Sequence, residues 1–334
     1  MMRKVLLVDD ELRVLSSLTR NLAGQFDVSC AGDATEALQL FEDKGPFPVV
    51  VSDVRMPGID GLKLVRELRR RVPETVCLVL SGQCDLQSLA VGVAEGDVFR
   101  FLAKPATPES LLGSIDQAYA EYQAKRMGAL IDRERHWQTV YRSKREDEVS
   151  WFQDRPGTSI ELIERGGLGP RARVIDIGGG ASRLVDHLLA LGYGQVSVLD
   201  VADAALDLAR DRLGPQAALV DWHVVDVTEW QPFVAFDVWH DRAVFHFLTA
   251  ATDRRAYLSA MKRALRTGGH AIIGTFAPDG PDRCSGLPVC RYDADSLARE
   301  LGGSFLLEEV VPEDHVTPAN KTQKFQFCRL VKVH

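Results

Sequence analysis

The sequence has no apolar run long enough to cross a membrane, and its first residues do not lead to a signal-peptide cleavage site. Its six cysteines form no C-x-x-C pair, and no histidine lies at zinc-finger spacing from them. A formal charge of −7 and the lack of a basic recognition helix argue against direct DNA binding. These absences predict a cytoplasmic protein with reduced thiols, no membrane association and no direct contact with DNA.

The 334 residues are enough for two domains that each bury a core. Over residues 1–122, five apolar runs alternate with five amphipathic segments, which predicts a parallel sheet covered by helices on both faces. The predicted strands are Lys4–Val8, Asp27–Cys30, Pro48–Ser52, Val76–Leu80 and Val98–Leu102. The predicted helices are Leu12–Ala23, Thr35–Glu42, Gly61–Arg71, Leu86–Ala94 and Pro108–Tyr122.

Polar residues follow several of these strands at their carboxyl ends. Asp9 and Asp10 follow the first strand, Asp53 follows the third, Ser81 the fourth and Lys104 the fifth. Because three carboxylates at one sheet edge repel one another, we expect a hard divalent cation such as Mg²⁺ between them. Asp53 can then attack a phosphoryl group, while the metal and Lys104 neutralise the developing charge and Ser81 donates a hydrogen bond.

This pattern, together with the run D-V-R-M-P-G-I-D-G that starts at Asp53, resembles response-regulator receiver domains. The resemblance implies a flavodoxin-like (βα)5 fold and phosphorylation of Asp53 by a sensor histidine kinase. It also implies a backbone-carbonyl metal ligand at Arg55, a switch formed by Ser81 and Phe101, and a cis peptide at Lys104–Pro105. A degenerate receiver that is never phosphorylated remains the alternative.

The segment 123–136 is charged with a partial apolar stripe, which predicts a helical connector. It either extends the last receiver helix or forms a second helix that pairs with a partner chain, which would give a homodimer through receiver and connector. A solvated linker helix is equally compatible with the pattern. Aromatic residues return at Trp137 and within Arg142–Phe152, and this segment is predicted to pack on the second domain, 137–334, as a lid that includes Trp151.

The segment Val174–Ser182 is an apolar run that turns on glycines, and Arg183–Leu191 has helical spacing of apolar residues. Glycines at such a turn let the backbone approach a nucleotide, and the helix N-terminus supplies free N–H groups. Carboxylates at Asp176 and Asp200 can accept hydrogen bonds from ribose hydroxyls. The sequence does not match the G-x-G-x-x-G fingerprint of dinucleotide-binding sites, because the third glycine would fall on Arg183.

The remaining pattern, D-x-G-x-G with a later acid, resembles motifs I and II of class I S-adenosylmethionine-dependent methyltransferases. The resemblance implies a Rossmann-like domain that uses S-adenosylmethionine, in which catalysis depends mainly on aligning donor and acceptor. A purely structural turn is the alternative. The residues expected at the cofactor are Trp151, Asp176, Gly178, Gly180, Asp200, Val201, Asp226 and Val227.

The predicted elements of this domain alternate as in the first. The predicted strands are Arg173–Ile177, Gln195–Leu199, Leu219–Val225, Phe236–His240, His270–Thr275, Phe305–Val311 and Lys324–Val331. The predicted helices are Ser159–Arg165, Arg183–Leu191, Asp203–Leu213 and Arg254–Leu265, with one more before the last two strands.

Four polar residues follow the fourth strand, where the acceptor would meet the methyl group: His240, Asp241, Arg242 and His246. One of them is expected to orient the nucleophile or take its proton. This part of the sequence is similar to protein-lysine methyltransferases of the elongation-factor and citrate-synthase type, but small-molecule methyltransferases share most of it. The acceptor class therefore stays open between protein lysine and small molecule.

Together these patterns predict a two-component response regulator whose output is S-adenosylmethionine-dependent methyl transfer, regulated by phosphorylation of Asp53. The competing interpretation is a phospho-regulated, non-enzymatic module that binds S-adenosylmethionine as a sensor or serves as a docking scaffold. Detectable turnover with any acceptor distinguishes the two.

Overall fold

The computed structural model describes residues 3–82 and 97–334. The chain divides into two compact units, of which one comprises the chain up to Ala129 with Ala250–Thr252 and the other comprises Leu130–Thr249 and Asp253–His334. None of the helices in the described ranges combines the length and apolar character needed to span a membrane.

The first unit is built on a five-stranded parallel sheet with strand order β2-β1-β3-β4-β5. This order is that of flavodoxin-like folds, so the predicted fold class is confirmed. The predicted helix Leu86–Ala94 lies outside the described residues. The strands are β1 (Arg3–Val8), β2 (Phe26–Ala31), β3 (Val49–Asp53), β4 (Val76–Ser81) and β5 (Arg100–Ala103), and the described helices are α1 (Leu12–Leu22), α2 (Ala34–Lys44), α3 (Gly61–Arg71) and α4 (Pro108–Ser143).

Apolar clusters cover both faces of this sheet, as its apolar strands require. Strands β3 and β4 are buried along their whole length. Local signals explain where helices begin: Asp33 accepts a hydrogen bond from the N–H of Glu36 at 2.8 Å, and Asp60 accepts one from the N–H of Lys63 at 2.8 Å. The sheet and its helices thus fix the positions of the strand ends, where the polar residues lie.

Helix α4 is one continuous helix from Pro108 to Ser143. Its apolar residues Leu111, Ile115 and Tyr119 are buried in the first unit. The division between the units falls inside this helix, after Ala129. Of the arrangements that the sequence left open for the connector, the structure has the extended last helix.

The second unit is built on a seven-stranded mixed sheet with order β13-β14-β10-β9-β6-β7-β8, in which β14 is antiparallel to β10 and β13. The predicted α/β class is confirmed here too. The strands are β6 (Val174–Ile177), β7 (Val196–Asp200), β8 (Val220–Val224), β9 (Phe236–Arg242), β10 (Leu265–Phe276), β13 (Phe305–Val316) and β14 (Thr322–Lys332), with a small hairpin of β11 (Arg283–Cys284) and β12 (Leu287–Pro288). The helices are α5 (Gly157–Arg165), α6 (Leu184–Ala190), α7 (Asp203–Leu213), α8 (Ala251–Ala264) and α9 (Ala294–Leu301).

The order of strands positions the site. From β6 the sheet extends through β7 and β8 in one direction and, after the chain crosses over, through β9 and β10 in the other. The point between β6 and β9 is therefore a topological switch point, where ligands of open α/β sheets bind. Strand β10 begins five residues before its predicted start at His270, because Leu265 pairs with Phe236 ahead of an irregularity in the register. Apolar clusters again cover both faces.

Candidate functional site

In the first unit, three carboxylates meet at the carboxyl edge of the sheet. Asp9, Asp10 and Asp53 each place one carboxylate oxygen so that all lie within 4.8 Å of one another. Lys104 reaches the same point, with Nζ 2.7 Å from Asp9 Oδ2 and 2.9 Å from Asp53 Oδ2. The structure thus brings together the acid pair, the candidate phosphoacceptor and the lysine, which come from three separate strand ends.

The charges of this cluster do not balance. Burial raises the pKa of Asp53, the Lys104 ammonium acts in the opposite direction, and the neighbouring Asp9 adds to the increase. Three acids beside one lysine leave an excess of negative charge, and their donors are oxygens of the kind that Mg²⁺ prefers. The residues present therefore fit a divalent cation.

The other residues singled out in the first unit lie near this edge. Ser81 ends β4 with its buried hydroxyl donating to the carbonyl of Gly82 at 3.1 Å. Phe101 lies in β5, partly buried against one apolar cluster. The peptide bond Lys104–Pro105 is cis, as expected. The Arg55 carbonyl as metal ligand and the switch roles of Ser81 and Phe101 stay predictions.

In the second unit, one cavity of about 130 Å³ lies at the carboxyl ends of the parallel strands. The character of its lining residues changes along the sheet. Ile177, Asp200 and Asp226 line the part above β6, β7 and β8, whereas Arg242 and Phe325 line the part above β9 and β14. We call the first part the acidic half and the second the aromatic half. Most of the lining is apolar, as in small-molecule sites.

The glycine turn after β6 forms the floor of the acidic half. A Cβ on Gly179 would lie 2.6 Å from Asp176 Oδ2 and 2.6 Å from a methyl carbon of Val198. Gly180 has φ +47°, and a Cβ there would lie 2.8 Å from Tyr141 Oη and 3.0 Å from Asp200 Oδ2. The sequence pattern indicated Gly178 and Gly180. Only the packing shows that Gly179 also has no room for a side chain.

Asp176 is held in a buried chain of hydrogen bonds. Its Oδ1 lies 2.7 Å from His240 Nδ1, and His240 Nε2 lies 2.9 Å from Ser159 Oγ. All three side chains are buried, and both ring nitrogens of His240 are occupied. His240 therefore fixes the Asp176 carboxylate, and the two residues line a smaller cavity next to the main one.

Asp200 ends β7 at the acidic half. One oxygen accepts a hydrogen bond from the N–H of Ala202 at 2.8 Å. Burial raises the pKa of the carboxyl to about 7, with the neighbouring Asp176 adding to the increase. The backbone N–H groups of Ala202, Val201 and Gly180 oppose this increase in pKa, and hydroxyl groups of a ligand would add further donors that favour the ionised form.

Asp226 has its own partners. Oδ1 accepts from the N–H and hydroxyl of Thr228 at 2.8 and 2.7 Å. Oδ2 accepts from Arg133 Nη1 at 2.7 Å, and the other end of that guanidinium pairs with Asp253. Val201 and Val227 also line the acidic half. Arg133 was not expected here.

Arg133, Trp137 and Tyr141 line the cavity as one stripe of α4. Their spacing of four residues is a sequence signal that they share one helix face, but it does not show what that face contacts. The ring of Trp137 lies edge-on to Trp151 at 5.8 Å and to Phe247 at 5.0 Å. The end of α4 is therefore a wall of this cavity, together with Trp151.

The four candidate acceptor residues do not all line the larger cavity. His240 and Arg242 both line the smaller one. Asp241 is fully buried, accepts from the N–H groups of Val244 and Phe245 and from the Tyr257 hydroxyl, and does not line the cavity. Burial raises its pKa to about 6. This carboxylate caps the turn that follows β9.

His246 is fully buried, and its Nδ1 accepts from the N–H of Phe276 at 3.3 Å. Burial and the nearby Arg242 lower its pKa to about 3, so its ring is neutral. Only Arg242 of the four lines the larger cavity. The proton-transfer roles expected of His246 and Asp241 have no support from these positions, and all four roles stay predictions.

Comparisons with known proteins agree with this division. Residues 5–116 match the family model of the response regulator receiver domain, and residues 174–269 match the family model of a methyltransferase domain. Both matches fall on the sheets just described.

Two curated relatives match the N-terminal part. The hydrogenase transcriptional regulatory protein HoxA of Cupriavidus necator is 38% identical over 114 residues, which are 34% of this chain and 23% of that protein. The C4-dicarboxylate transport transcriptional regulatory protein DctD of Pseudomonas aeruginosa is 38% identical over 117 residues, 34% of this chain and 25% of that protein. The chain thus spans about a quarter of the length of these relatives.

A solved structure described as "Conversion of a Disulfide Bond into a Thioacetal Group during Echinomycin Biosynthesis" has 21% sequence identity and a TM-score of 0.50. The match covers 59% of this chain and 90% of that one, and at this identity it shows the fold alone. With the two family matches and the two sheets, the chain carries a response regulator receiver domain in its N-terminal part and a class I methyltransferase domain in its C-terminal part.

Proposed function

We propose that this protein is a response regulator whose methyltransferase domain uses S-adenosylmethionine, and that phosphorylation of Asp53 regulates methyl transfer. The observation that carries the proposal is the composition of one cavity, which is lined by Gly178 of the glycine turn, by Asp200, and by the last turns of α4. The first two are what a nucleoside ligand requires, and α4 begins in the receiver unit.

The residues present fit the cofactor. Asp200 suits the ribose hydroxyls, the N–H of Gly178 suits the amino-acid end beside Asp176, and apolar side chains of the acidic half suit the adenine ring. Gly180 lines neither cavity, and its N–H acts on the carboxylate of Asp200. When bound, the cofactor supplies a methyl group already activated on a sulfonium. The protein then contributes mainly binding and alignment, for which no catalytic triad or metal is needed.

On the receiver side, we propose that Mg²⁺ binds among Asp9, Asp10 and Asp53 and that a sensor histidine kinase is the phosphodonor. Phosphorylation adds about −1.5 to −2 charges at Asp53. Lys104, already 2.9 Å from that carboxylate, can pair with the added phosphoryl oxygens, and Ser81 can donate to one of them. A homodimer through the receiver and α4 is part of this proposal.

The affinity for S-adenosylhomocysteine, the demethylated cofactor, is expected to depend on pH. Asp200 has a raised pKa of about 7 in the free protein, and hydroxyl donors favour its ionised form, so binding below that pH requires loss of a proton. We expect the affinity to fall by up to about tenfold per unit as the pH drops below about 7, and to stay constant above it. Calorimetric titration across this range, in buffers of different ionisation enthalpy, measures both affinity and proton release.

Asp200→Asn is the matched control for this experiment. Its amide does not titrate, so the affinity should be lower than in the native protein and independent of pH. A native protein whose affinity is constant on both sides of pH 7 would contradict the proposed contact between Asp200 and the ligand.

Arg133 is expected to be needed for the response to phosphorylation. Replacing it by methionine leaves Asp226 and Asp253 without their shared cation. It also removes the ion pairs that join α4 to these two aspartates. We expect Arg133→Met to bind S-adenosylhomocysteine about tenfold more weakly and to lose the change in affinity that acetyl phosphate with Mg²⁺ causes in the native protein.

Arg135→Met is its control, because Arg135 lies on the same helix but is exposed and pairs with the exposed Asp132. It should behave as the native protein does. If Arg133→Met and Arg135→Met respond alike to acetyl phosphate, α4 does not transmit the signal through Arg133.

Turnover tests the enzymatic proposal against a sensor or scaffold. The purified protein, with and without acetyl phosphate, is incubated in host lysate with methyl-labelled S-adenosylmethionine, and label in protein is separated from label in small molecules. Label in either fraction above a Gly179→Ala control supports methyl transfer. Proven cofactor binding with no label in either fraction would support the non-enzymatic alternative.

A further inference from the structure

The aromatic half of the cavity differs from the acidic half in charge. The residues that line it include Arg242, Phe247, Phe276, Leu287 and Phe325. Asp200 and Asp226 are the carboxylates among the described lining residues of the whole cavity, and both belong to the acidic half. Arg242 is therefore the charged residue of the described aromatic half.

The guanidinium of Arg242 is incompletely paired. Nη1 donates to the carbonyl of Trp151 at 2.8 Å, whereas Nε and Nη2 are buried and form no hydrogen bond within the described residues. The carboxylate of Glu313 forms an ion pair with Arg242 at 3.6 Å from Nη2, a distance longer than a hydrogen bond, and its oxygen accepts from Gln153 at 3.0 Å. A buried cation with free donors is costly to keep, so it calls for an explanation.

The surroundings of Arg242 add a further donor and, at the buried amide oxygen of Gln323, an acceptor without a partner in the described chain, but no base. Its guanidinium lies over the ring of Phe325, with the central carbon 4.8 Å from the ring centroid. His246 is neutral beside it, and because Nδ1 of that ring accepts a hydrogen bond, the proton is on Nε2, which is also buried without a partner in the described chain. The described lining of the aromatic half has no aspartate, glutamate or histidine that could accept a proton.

We propose that the aromatic half takes a small, largely apolar carboxylic acid, bound as its anion with the carboxylate facing Arg242. This inference rests on the proposed methyltransferase function and identifies the class of its acceptor. A carboxylate oxygen of the acid would form the bond to the methyl carbon as the carbon–sulfur bond of the cofactor breaks, so the products would be a methyl ester and S-adenosylhomocysteine, and no proton has to leave. The planar guanidinium fork matches a carboxylate, and the phenyl rings match an apolar body. A lysine acceptor fits poorly, because its ammonium would meet a like charge and find no base to take its proton.

The test uses the full-length protein saturated with S-adenosylhomocysteine. Fluorine NMR measures binding of 4-fluorobenzoate, 4-fluorophenylacetate and a fluorinated branched aliphatic acid, each compared with its own neutral amide. At least one acid is expected to bind about tenfold or more tightly than its amide. This comparison needs no variant, so it does not depend on how a substitution affects folding.

Two variants, Arg242→Met and Arg242→Lys, then test whether the charge of Arg242 binds the carboxylate of the acid. Arg242→Met is expected to bind the preferred acid about tenfold or more weakly, to bind the amide as before, and to keep its affinity for S-adenosylhomocysteine within about threefold. The affinity of Arg242→Lys for the acid should lie between those of Arg242→Met and the native protein.

Three results would overturn the inference: no acid that binds more tightly than its amide, an unchanged acid affinity in Arg242→Met, or a loss of S-adenosylhomocysteine affinity in that variant that matches the loss for the acid. The last would assign Arg242 to the carboxylate of the cofactor. Failure of the native protein to bind S-adenosylhomocysteine at all is a separate outcome, seen before any acid is added, and it would refute the proposed function itself.

Discussion

Gly179→Ala is expected to abolish most of the affinity for S-adenosylhomocysteine. The added methyl group would lie 2.6 Å from the Asp176 carboxylate and 2.6 Å from Val198, neither of which is free to move. Asp176 is fixed by His240, and Val198 lies inside the buried strand β7. The glycine turn must therefore shift, and overpacking of about 1–3 kcal/mol corresponds to an affinity loss of about 10- to 100-fold.

Gly194→Ala is the matched control, because a Cβ on Gly194 meets nothing within 4 Å. Calorimetric titration of both variants gives the affinities, and thermal unfolding reports whether the fold is kept. We expect Gly194→Ala to bind as the native protein does. Equal affinities in the two alanine variants would show that the turn does not lie against the ligand.

Asp53→Asn is expected to reduce phosphoryl incorporation from acetyl phosphate to background. The amide has no nucleophilic carboxylate oxygen, although it keeps nearly the same shape. Asp9 and Asp10 would remain, so the loss would not reflect removal of the acid pair. The same variant should keep its affinity for S-adenosylhomocysteine, because its substitution lies in the other unit.

The control is Asp43→Asn, an exposed aspartate of α2 whose contact is with Gln39 on the same helix. Mass spectrometry of the intact protein counts the phosphoryl groups. One group on the native protein and on Asp43→Asn, and none on Asp53→Asn, is the expected pattern. Incorporation into Asp53→Asn at the native level would place the phosphoacceptor elsewhere and favour a degenerate receiver.

Much of the candidate site was predictable because its residues lie at strand ends. The carboxyl ends of parallel strands meet at one edge, so Asp9, Asp53 and Lys104 could be placed together from apolar runs alone. The same argument placed Asp200 and the glycine turn at one cavity. The family resemblances then supplied their roles.

The contribution of α4 was not predictable in the same way. Arg133 is 93 residues from Asp226 along the chain, and no periodicity in one segment reports a partner so distant. A charged segment with a weak apolar stripe predicts a solvated helix or a dimer surface. In the structure, Arg133 of this segment and Trp137 and Tyr141 just after it line a cavity. Tertiary packing decided between alternatives that the sequence left open.

Asp241 shows the limit of the strand-end argument. An aspartate after a strand can bind a ligand, but it can also accept hydrogen bonds from backbone N–H groups a few residues ahead and so close a turn. The structure has the second arrangement, with Val244 and Phe245 as donors. The two uses have the same sequence pattern, and they differ only in which way the side chain points.

The continuity of α4 decides how the protein can be dissected. A protease or a cloning boundary placed at residue 137 would leave the C-terminal fragment without Arg133, and one placed after Ser143 would also remove Trp137 and Tyr141. A C-terminal fragment that keeps the whole cavity wall must start before Arg133, inside a helix rather than in a loop. The helix that begins in the receiver unit therefore ends as part of the other unit's cavity, and a gene rearrangement that exchanged the receiver would have to preserve residues 133–141 to keep that cavity.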